Sequence, residues 1–414
     1  MYFHSKASLL ALWATLGSAA SIQTTHPSQL RRQTGSIYFP VENATLKNAR
    51  VGEYYQASIG GLTIGPGNAS AAFEKVGGVE WVDVSANGLI SGTPAIGSEG
   101  STELDIQATA AGGSTATLRI DIPVRGPNEV LLDRLAVMSY NLWQGGANVN
   151  NYHEKQLRFI LESGADVIGL QESVDGGHAG RLAEALGWGV SQTNSSAAVL
   201  SRYPIEEDYG QVGVGGGLRV NLNGESAEKK QINFWNVHLT AYPYGPYAFC
   251  FDGDTPEQVV EIEAESGRTP QMAAVLEAMD AQLAGSDNIP VLLTGDTNAP
   301  SHLDWVTSRC DVAGFEWPTS ILPLRAGLID SYRVAHPDPV AMNGTTWSPI
   351  YPFNEGTTGE PEPQDRIDFV YATEQLQVLS SDAVLVGNPQ PYAQHEDNEW
   401  TSDHRAVLTW FQLP

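Results

Sequence analysis

Basic residues are scarce in this chain. Of its 414 residues, 22 are Lys or Arg and 48 are Asp or Glu, so the formal net charge is −26. Affinity for a nucleic-acid backbone comes largely from Lys and Arg, so this balance argues against a stable complex with a polyanion. The surplus of carboxylates instead suits the binding of divalent cations.

Cysteine is almost absent. The chain has two cysteines, Cys250 and Cys310, which are too few for a disulfide framework or for a zinc site built from cysteines. The sequence does not decide whether these two pair with each other.

Long apolar runs are also lacking, and the longest candidate lies at the N-terminus. Residues 1–20 have a weakly basic start, a short apolar run at residues 9–14 and then small residues. Such a run is too short to span a bilayer and is typical of a cleaved signal peptide, with a buried N-terminal helix as the alternative. Arg31-Arg32 would end a propeptide of residues 21–32, or it is ordinary surface charge.

Several features agree with export. Glycosylation sequons occur at Asn43, Asn68, Asn194 and Asn343, and such sites are used in secreted proteins. We therefore expect a secreted, extracellular glycoprotein without a transmembrane segment.

Residues 36–125 predict an all-β domain. Short segments with alternating apolar and polar residues are separated by Gly, Pro and Asn, a pattern typical of an antiparallel β-sandwich. Residues 81–94 resemble the Ig-like or cadherin-like modules of extracellular proteins. A spacer, a substrate-docking module and a plain structural appendage all fit this domain.

Residues 129–414 predict a second domain in which strands and helices alternate. Strands are expected near residues 135–140, 166–170, 197–200, 218–222, 232–237, 290–293, 367–371 and 406–410, and helices near 152–163, 181–186 and 271–283. This mixture indicates an α/β core with sheets buried under helices. The Gly-rich run at residues 213–217 lacks the ending of a phosphate-binding loop and is expected to be a surface turn.

Polar side chains recur where the predicted strands end. Active sites of sheet proteins gather at one edge of their strands, so the repeated pattern points to a site. Asn and Asp also cap ordinary turns, so no single residue decides the matter. The set comprises Asn141, Glu172, His238, Asp296, Asn298, Asp368, Asp403 and His404.

Six stretches carry a family resemblance in their order. They are Ser139-Tyr140-Asn141, Gly169-Leu170-Gln171-Glu172, Asn236-Val237-His238-Leu239, Gly295-Asp296-Thr297-Asn298, Asp365-Arg366-Ile367-Asp368 and Ser402-Asp403-His404. By these motifs, residues 135–414 resemble the endonuclease/exonuclease/phosphatase superfamily of metal-dependent phosphoesterases. The resemblance implies the α/β (α+β) class and a four-layer DNase I-like sandwich, in which two mixed sheets pack face to face with helices outside.

The resemblance also implies a metal centre. It makes Glu172 the principal ligand of Mg²⁺ or Mn²⁺, assisted by Asn141 and Asp403. Oxygen donors of this kind are what such hard cations require. The cation would neutralise phosphate oxygens and stabilise the leaving oxygen.

Five further residues receive catalytic roles through the resemblance. His404 would act with Asp368 behind it, and His238 would donate to the phosphate in the transition state. Asp296 and Asn298 would position water, phosphate and, in some members, a second metal. The sequence leaves open whether His404 or Asp296 activates the water.

One departure from the family pattern concerns His238. DNase I-like nucleases back the matching histidine with a Glu one strand earlier, whereas residues 191–197 contain no Glu. Asn194 is the available substitute unless it carries a glycan. Tyr242, in the aromatic loop after His238, and His178 are further candidates for substrate contact.

The predicted function is therefore that of a secreted, monomeric, metal-dependent phosphoric ester hydrolase. It would cleave phosphodiesters, or phosphomonoesters, by metal-assisted attack of water. A DNase I-like endonuclease and a sphingomyelinase-like lipid phosphodiesterase are the alternatives within this chemistry. An inactive binding protein on the same fold is the alternative from another class.

Overall fold

The structure is a computed structural model that describes residues 21–22, 35–65, 71–174, 177–193, 196–226, 228–307, 309–354 and 357–414. The predicted signal peptide (residues 1–20) lies outside the described residues, as does most of the predicted propeptide. The sequons at Asn68 and Asn194 also lie outside them. The signal peptide, the propeptide and the domain boundaries therefore stay predictions.

The N-terminal region is built from strands. They are β1 (Ser21–Ile22), β2 (Asn43–Thr45), β3 (Ala49–Arg50), β4 (Tyr55–Ser58), β5 (Ala71–Gly78), β6 (Val82–Val84), β7 (Leu89–Gly92), β8 (Gly100–Ala110) and β9 (Thr115–Arg125). One sheet has the order β2-β9-β8-β5 with β3 also paired to β9, and a second has the order β4-β7-β6. Side chains from both sheets share one buried cluster, which includes Ile90 and Ile120.

The predicted antiparallel pairing of this region is correct only in part. Strand β8 is antiparallel to both of its neighbours, β5 and β9, but β2 and β3 pair with β9 in parallel. The two short strands follow one another along the same edge of β9, so both run in its direction. Membership of the Ig-like or cadherin-like class stays a prediction.

Strands and helices alternate in the remainder of the chain. The strands are β10 (Arg134–Asn141), β11 (Val167–Gln171), β12 (Gly189–Gln192), β13 (Ala198–Ser201), β14 (Ile205–Val212), β15 (Gly215–Asn221), β16 (Gln231–His238), β17 (Val291–Asp296), β18 (Leu328–Asp330), β19 (Asp368–Thr373), β20 (Gln377–Val386) and β21 (Ala406–Gln412). The α-helices are α1 (Tyr152–Ser163), α2 (Gly177–Leu186), α3 (Gly245–Tyr247), α4 (Pro256–Ser266), α5 (Arg268–Ala284), α6 (Ile321–Arg325) and α7 (Ser331–Ala335). Among the described residues, no helix combines the length and apolarity that a membrane crossing needs.

These strands form two mixed sheets. One has the order β1-β20-β21-β10-β11-β13-β12 and the other the order β14-β15-β16-β17-β19-β18. Successive side chains of a strand point to opposite faces, so Leu135 and Val137 of β10 share one face. They pack with Phe234 and Leu292 of the second sheet in a common buried cluster. The two sheets therefore meet face to face.

Helices cover the outer faces. Ala136 and Met138 of β10 pack in one cluster with Leu157 of α1 and Leu182 of α2. On the other side, Trp235 and Leu293 pack with Met272 and Met279 of α5. The order helix, sheet, sheet, helix confirms the predicted four-layer α/β sandwich.

Two local expectations need correction. Residues 215–217 of the Gly-rich run belong to buried strand β15 rather than to a surface turn. A Cβ atom on Gly217 would lie 2.5 Å from the Trp235 ring, so glycine there makes room for the indole. Helix α4 was not predicted, although Thr255 and Gln258 form a capping box at its start.

The N-terminal sheets are joined to the four-layer unit by buried polar contacts. The Arg50 guanidinium donates to Asn223 Oδ1 (2.9 Å) and to the carbonyl oxygens of Asn223 (2.6 Å) and Glu129 (2.8 Å). Arg158 of α1 donates to the carbonyl oxygen of Pro40 at 3.0 Å. Because Arg50 and Arg158 are both about 5% exposed, these contacts are shielded from water.

A disulfide joins Cys250 to Cys310 across 60 residues. It connects the segment after α3 to the loop that precedes α6. Cross-linking a chain removes conformational entropy from the unfolded state, so the bond stabilises the folded protein relative to the unfolded chain.

Loss of the disulfide should be measurable. We expect the Cys250→Ser/Cys310→Ser double variant to lose about 2–4 kcal/mol of unfolding free energy, measured by urea denaturation. Dithiothreitol should lower the stability of the wild-type protein similarly and leave the double variant unchanged. Equal sensitivity of both proteins to dithiothreitol would contradict the assignment.

Candidate active site

The strand pairings bring the predicted site residues to one edge of the two sheets. Strands β10 and β11 are parallel with Asn141 beside Gln171, so Glu172 follows directly at that edge. In the other sheet His238 lies beside Asp296, and Asp296 lies beside Asp368. Each sheet thus presents its polar strand ends in the same direction.

Asn141 bridges the two sheets at this edge. It is fully buried, and its Nδ2 donates to Asp296 Oδ2 at 2.9 Å and to Glu172 Oε1 at 3.3 Å. Its Oδ1 accepts a hydrogen bond from the backbone N–H of Trp143 at 2.9 Å. The amide therefore holds two carboxylates close together.

Glu172 is held by an unusual backbone. Its φ is +54°, and Trp143 and Gln144 in the facing loop have φ values of +55° and +53°. Non-glycine residues in this region cost free energy and cluster at functional sites. The Gln144 N–H donates to Glu172 Oε2 at 2.7 Å, so the two strained segments are joined through the carboxylate.

His404 and Asp368 form a buried pair. His404 Nδ1 lies 2.8 Å from Asp368 Oδ2, and Nε2 lies 3.7 Å from Asp296 Oδ2 and 3.9 Å from Asp403 Oδ1. Burial alone lowers the pKa of His404, but the charges of Asp368 and Asp296 outweigh it and raise this pKa well above its usual value. The ring is thus oriented through Nδ1 and exposes Nε2 to the other carboxylates.

His238 faces the same carboxylate from the opposite side. Its Nε2 lies 3.7 Å from Asp296 Oδ2, and its Nδ1 lies 2.6 Å from Ser196 Oγ. Asn194, the predicted substitute for the absent Glu, lies outside the described residues. The structure places the Ser196 hydroxyl at the position where a backing group was expected.

Asn298 takes part in a turn rather than pointing freely into the site. Its backbone N–H donates to Asp296 Oδ1 at 2.9 Å, and its Nδ2 donates to the carbonyl oxygen of Leu239 at 3.0 Å. Its φ is +48°. Asn298 therefore fixes the Asp296 carboxylate and joins the loops that follow β16 and β17.

The segment that carries these residues matches a known protein family. The model of the Endonuclease/Exonuclease/phosphatase family matches residues 138–404. The chain belongs to this family. Its members are hydrolases that act on phosphoesters.

Among the proteins similar to this chain are one relative in sequence and two solved structures. An uncharacterized protein of Caenorhabditis elegans is 32% identical over 295 residues, which cover 66% of this chain and 90% of that protein. A truncated Caenorhabditis elegans TDP2 is 16% identical with a TM-score of 0.43, covering 67% of this chain and 98% of that one. The catalytic domain of human Nocturnin with bound sulfate is 16% identical with a TM-score of 0.43, covering 69% and 97%.

The buried carboxylates fit a cation. Asp403 Oδ1 is buried and has no hydrogen-bond partner in the part of the chain that the structure describes. Burial, together with Glu172 and Asp296 and against the opposing charge of His404, raises the pKa of Asp403 to about 8. Ligand atoms of Asp296, Asp368 and His404 lie within 4.8 Å of one another. The carboxylate oxygens of Asp296, Asp368 and Asp403 are donors of the kind that Mg²⁺ and Mn²⁺ prefer.

The three predicted ligands differ in how they face this cluster. Glu172 and Asp403 present carboxylate oxygens, and the Glu172 charge acts on Asp403. Asn141 presents its N–H groups to the carboxylates while Trp143 occupies its oxygen. The role of Asn141 as an oxygen ligand stays a prediction, and the observed role is to brace Glu172 and Asp296.

The two predicted substrate residues lie in different surroundings. The Tyr242 side chain is 66% exposed, and burial of its remainder and the charges of Glu362 and Asp403 raise its pKa. His178 packs on the backbone of Gly145, where a Cβ would lie 2.3 Å from the ring. Tyr242 therefore borders the site, and His178 supports the loop after Asn141. Substrate contact by either residue stays a prediction.

Sequence reasoning missed Trp347. Its ring centroid lies 4.9 Å from that of His404, and the backbones of the two residues pair. Trp347 stands in an irregular segment without periodicity, so only its position before the Asp365–Asp368 motif could have pointed to it.

Removal of one crowded charge should test the cation site. We expect the Asp403→Asn protein in EDTA to melt roughly 2 °C or more above the wild type, because burial and the charges of Glu172 and Asp296 outweigh the contact with His404 and make this carboxylate costly. Addition of Mg²⁺ or Mn²⁺ should raise the Tm of the wild type much more than that of the variant. The exposed Asp280→Asn protein should match the wild type in both measurements. An equal metal-induced shift in all three proteins would refute the assignment.

Proposed function

We propose that this protein is a secreted, metal-dependent phosphoric ester hydrolase that cleaves phosphodiesters, and also phosphomonoesters, by attack of water. One observation carries the proposal. The His404–Asp368 pair and His238 both face Asp296, within a buried cluster of carboxylates. Residues for proton transfer, for phosphate contact and for cation binding thus meet at one point, which favours an enzyme over an inactive binding protein.

The metal site would be formed mainly by Glu172 and Asp403. A Mg²⁺ or Mn²⁺ ion there supplies charge neutralisation of the phosphate oxygens and stabilisation of the leaving oxygen. Asn141 keeps Glu172 and Asp296 together through its two N–H contacts. Without this brace the mutual repulsion of the two carboxylates would separate the halves of the site.

Two atoms are placed to receive the proton of the attacking water. They are a carboxylate oxygen of Asp296 and Nε2 of His404, 3.7 Å apart. Asp368 holds the His404 ring through Nδ1, so it orients the ring and stabilises its charged form. The proton of the water would pass to Asp296 while His404 carries its charge, and to Nε2 of His404 when the ring is neutral.

His238 is assigned to the phosphate. Its Nδ1 is engaged by Ser196 Oγ, which leaves Nε2 directed at the site. An N–H aimed at a phosphoryl oxygen stabilises the charge that develops in the transition state. Asn298 contributes indirectly, because it fixes Asp296 in position.

The acidic surface favours small substrates. With a net charge of −26, the protein would repel a long polyanion outside any local basic groove. We therefore assign it to a small or headgroup-type phosphoester rather than to DNA. We further propose that the enzyme is a monomer.

Export is supported by three features. The short apolar segment at residues 1–20 is typical of a signal peptide, and the Cys250–Cys310 disulfide suits an oxidising compartment. The sequon residues Asn43 and Asn343 are exposed, as glycosylation requires. We further propose that residues 36–125 are an Ig-like or cadherin-like appendage of this extracellular enzyme.

A substrate panel tests the function. The wild type should hydrolyse bis-p-nitrophenyl phosphate with Mg²⁺ or Mn²⁺ and lose this activity in EDTA. We expect the His404→Asn and Glu172→Gln proteins to lose roughly 10²–10⁴-fold in kcat, and the His336→Gln protein to stay close to wild type. Full activity of Glu172→Gln in excess EDTA would refute the proposed metal role.

Ser196 provides a separate test of how His238 is held. We expect Ser196→Ala to lower kcat on bis-p-nitrophenyl phosphate roughly tenfold with little change in KM. Without the Ser196 hydrogen bond, the His238 ring is held less firmly, which weakens stabilisation of the transition state but not substrate binding. Ser196→Thr, which keeps the hydroxyl, should restore most of the rate. Loss of activity in Asn194→Gln with no loss in Ser196→Ala would return the backing role to Asn194.

A further inference from the structure

A cavity of about 500 Å³ lies beside the active site. Trp347 belongs both to its wall and to the contact with His404. Tyr242 also lines the cavity and senses the charges of both Glu362 and Asp403. The cavity is therefore a direct neighbour of the proposed phosphate position, and its size is in the range of small-molecule sites.

Aromatic rings dominate the wall of this cavity. Its aromatic members are Tyr242, Tyr247, Phe251, Trp347, Tyr351 and Phe353. Several of these rings contact one another, with centroids 5.3 Å apart for Trp347 and Tyr351 and 5.1 Å apart for Tyr247 and Phe251. The faces of such rings carry negative potential and attract organic cations.

The charged lining is acidic. Among the described residues that line the cavity, Asp252 and Glu362 carry charge, and none is Lys, Arg or His. A second phosphate or another anion would meet no cationic group there. The lining thus selects against anions.

Glu362 is the central charge. It is 5% exposed and accepts hydrogen bonds from Tyr247 Oη (2.9 Å), Trp347 Nε1 (3.0 Å) and Asn354 Nδ2 (3.3 Å). Within the described part of the chain, no ion pair to Glu362 occurs. Its three donors are all neutral, and burial raises the pKa of Glu362, so a bound cation would stabilise the charged form that the cavity itself disfavours.

We propose that this cavity is a subsite for an organic ammonium group of the phosphoester substrate, of the size of a quaternary ammonium alcohol such as choline. Aromatic faces and an uncompensated carboxylate attract a cation together, and neither attracts an anion. The proposal rests on the proposed function, since it names the group attached to the phosphate. A neutral nucleobase could stack on the same rings but would leave the carboxylate uncompensated.

A pair of chromogenic esters isolates the charge. p-Nitrophenyl phosphorylcholine and p-nitrophenyl 3,3-dimethylbutyl phosphate have the same shape, but the second lacks the positive charge. In each hydrolysis water attacks phosphorus, the P–O bond to the aryl group breaks, and p-nitrophenolate and a proton are released. We expect kcat/KM of the wild type to be roughly tenfold or more in favour of the choline ester.

Two variants localise the effect. Glu362→Gln keeps the shape and removes the charge, and Phe353→Leu removes one exposed aromatic face, so each should reduce the preference for the choline ester severalfold. Glu360→Gln, in the same loop but outside the cavity lining, should keep it. An equal effect of Glu360→Gln and Glu362→Gln would mean that only the general field of the protein is sensed, which would overturn the proposal.

Binding gives a measurement that does not depend on turnover. In isothermal titration, choline should bind the wild type more tightly than 3,3-dimethylbutan-1-ol does. Choline should also bind the Glu362→Gln protein more weakly than it binds the wild type. Equal binding of the two alcohols, or a preference for the thymidine 5′-p-nitrophenyl phosphate ester over the choline ester, would overturn the ammonium assignment. In that case, activity on bis-p-nitrophenyl phosphate would still support the phosphoesterase function. Inactivity on all esters with choline binding intact would refute the phosphoesterase function and leave the ammonium subsite standing.

The ammonium group could come from two sources. Glycerophosphocholine represents a free ester, and vesicles of phosphatidylcholine or sphingomyelin represent a lipid headgroup. Release of phosphocholine from one and not from the other identifies the source, and the subsite assignment holds in either case. Release from neither substrate, together with equal hydrolysis of the two chromogenic esters, would overturn it.

Discussion

Electrostatic repulsion among buried carboxylates is the constraint on which this site depends. Asp296, Asp368 and Asp403 are buried at the meeting edge of two sheets, where little water screens them, and the half-buried Glu172 lies beside them. Burial and like charge both oppose ionisation, so the cluster exists only because other parts of the fold oppose its separation. Two imidazole rings and a cation are the natural counter-charges for such a set.

The fold keeps the carboxylates together through the strands that carry them and through hydrogen bonds. Asp296 and Asp368 lie at strand ends, Glu172 directly follows β11 and Asp403 precedes β21. These strands cannot move apart without opening the apolar cluster between the sheets. Asn141 adds donors between Glu172 and Asp296, and Asn298 adds one to Asp296. The positive φ values of Glu172 and Asn298 show that backbone strain is part of the cost.

The site and the cavity beside it share a wall but differ in character. The site holds several carboxylates together with histidine and asparagine side chains. The cavity instead places the Glu362 carboxylate among aromatic rings. Trp347 joins them, because its ring contacts His404 while its N–H donates to Glu362. A substrate with its phosphate in the site and its organic group in the cavity would therefore extend past Trp347.

The amino-acid sequence by itself determined the alternation of strands and helices and the identity of the polar strand ends, and the family resemblance implied the four layers. Strands such as β10 and β17 can be recognised locally because burial of both faces makes them continuous apolar runs, and helix α1 because burial of one face imposes a helical period. The convergence of Asn141 with His404, 263 residues later, followed from the family order of the motifs. Only the tertiary structure decided that Ser196 backs His238, that Asn141 donates to the carboxylates, that Cys250 pairs with Cys310 and that Trp347 covers His404. These contacts join residues that are distant in sequence, and no local periodicity encodes which partner a strand end or a loop residue will meet.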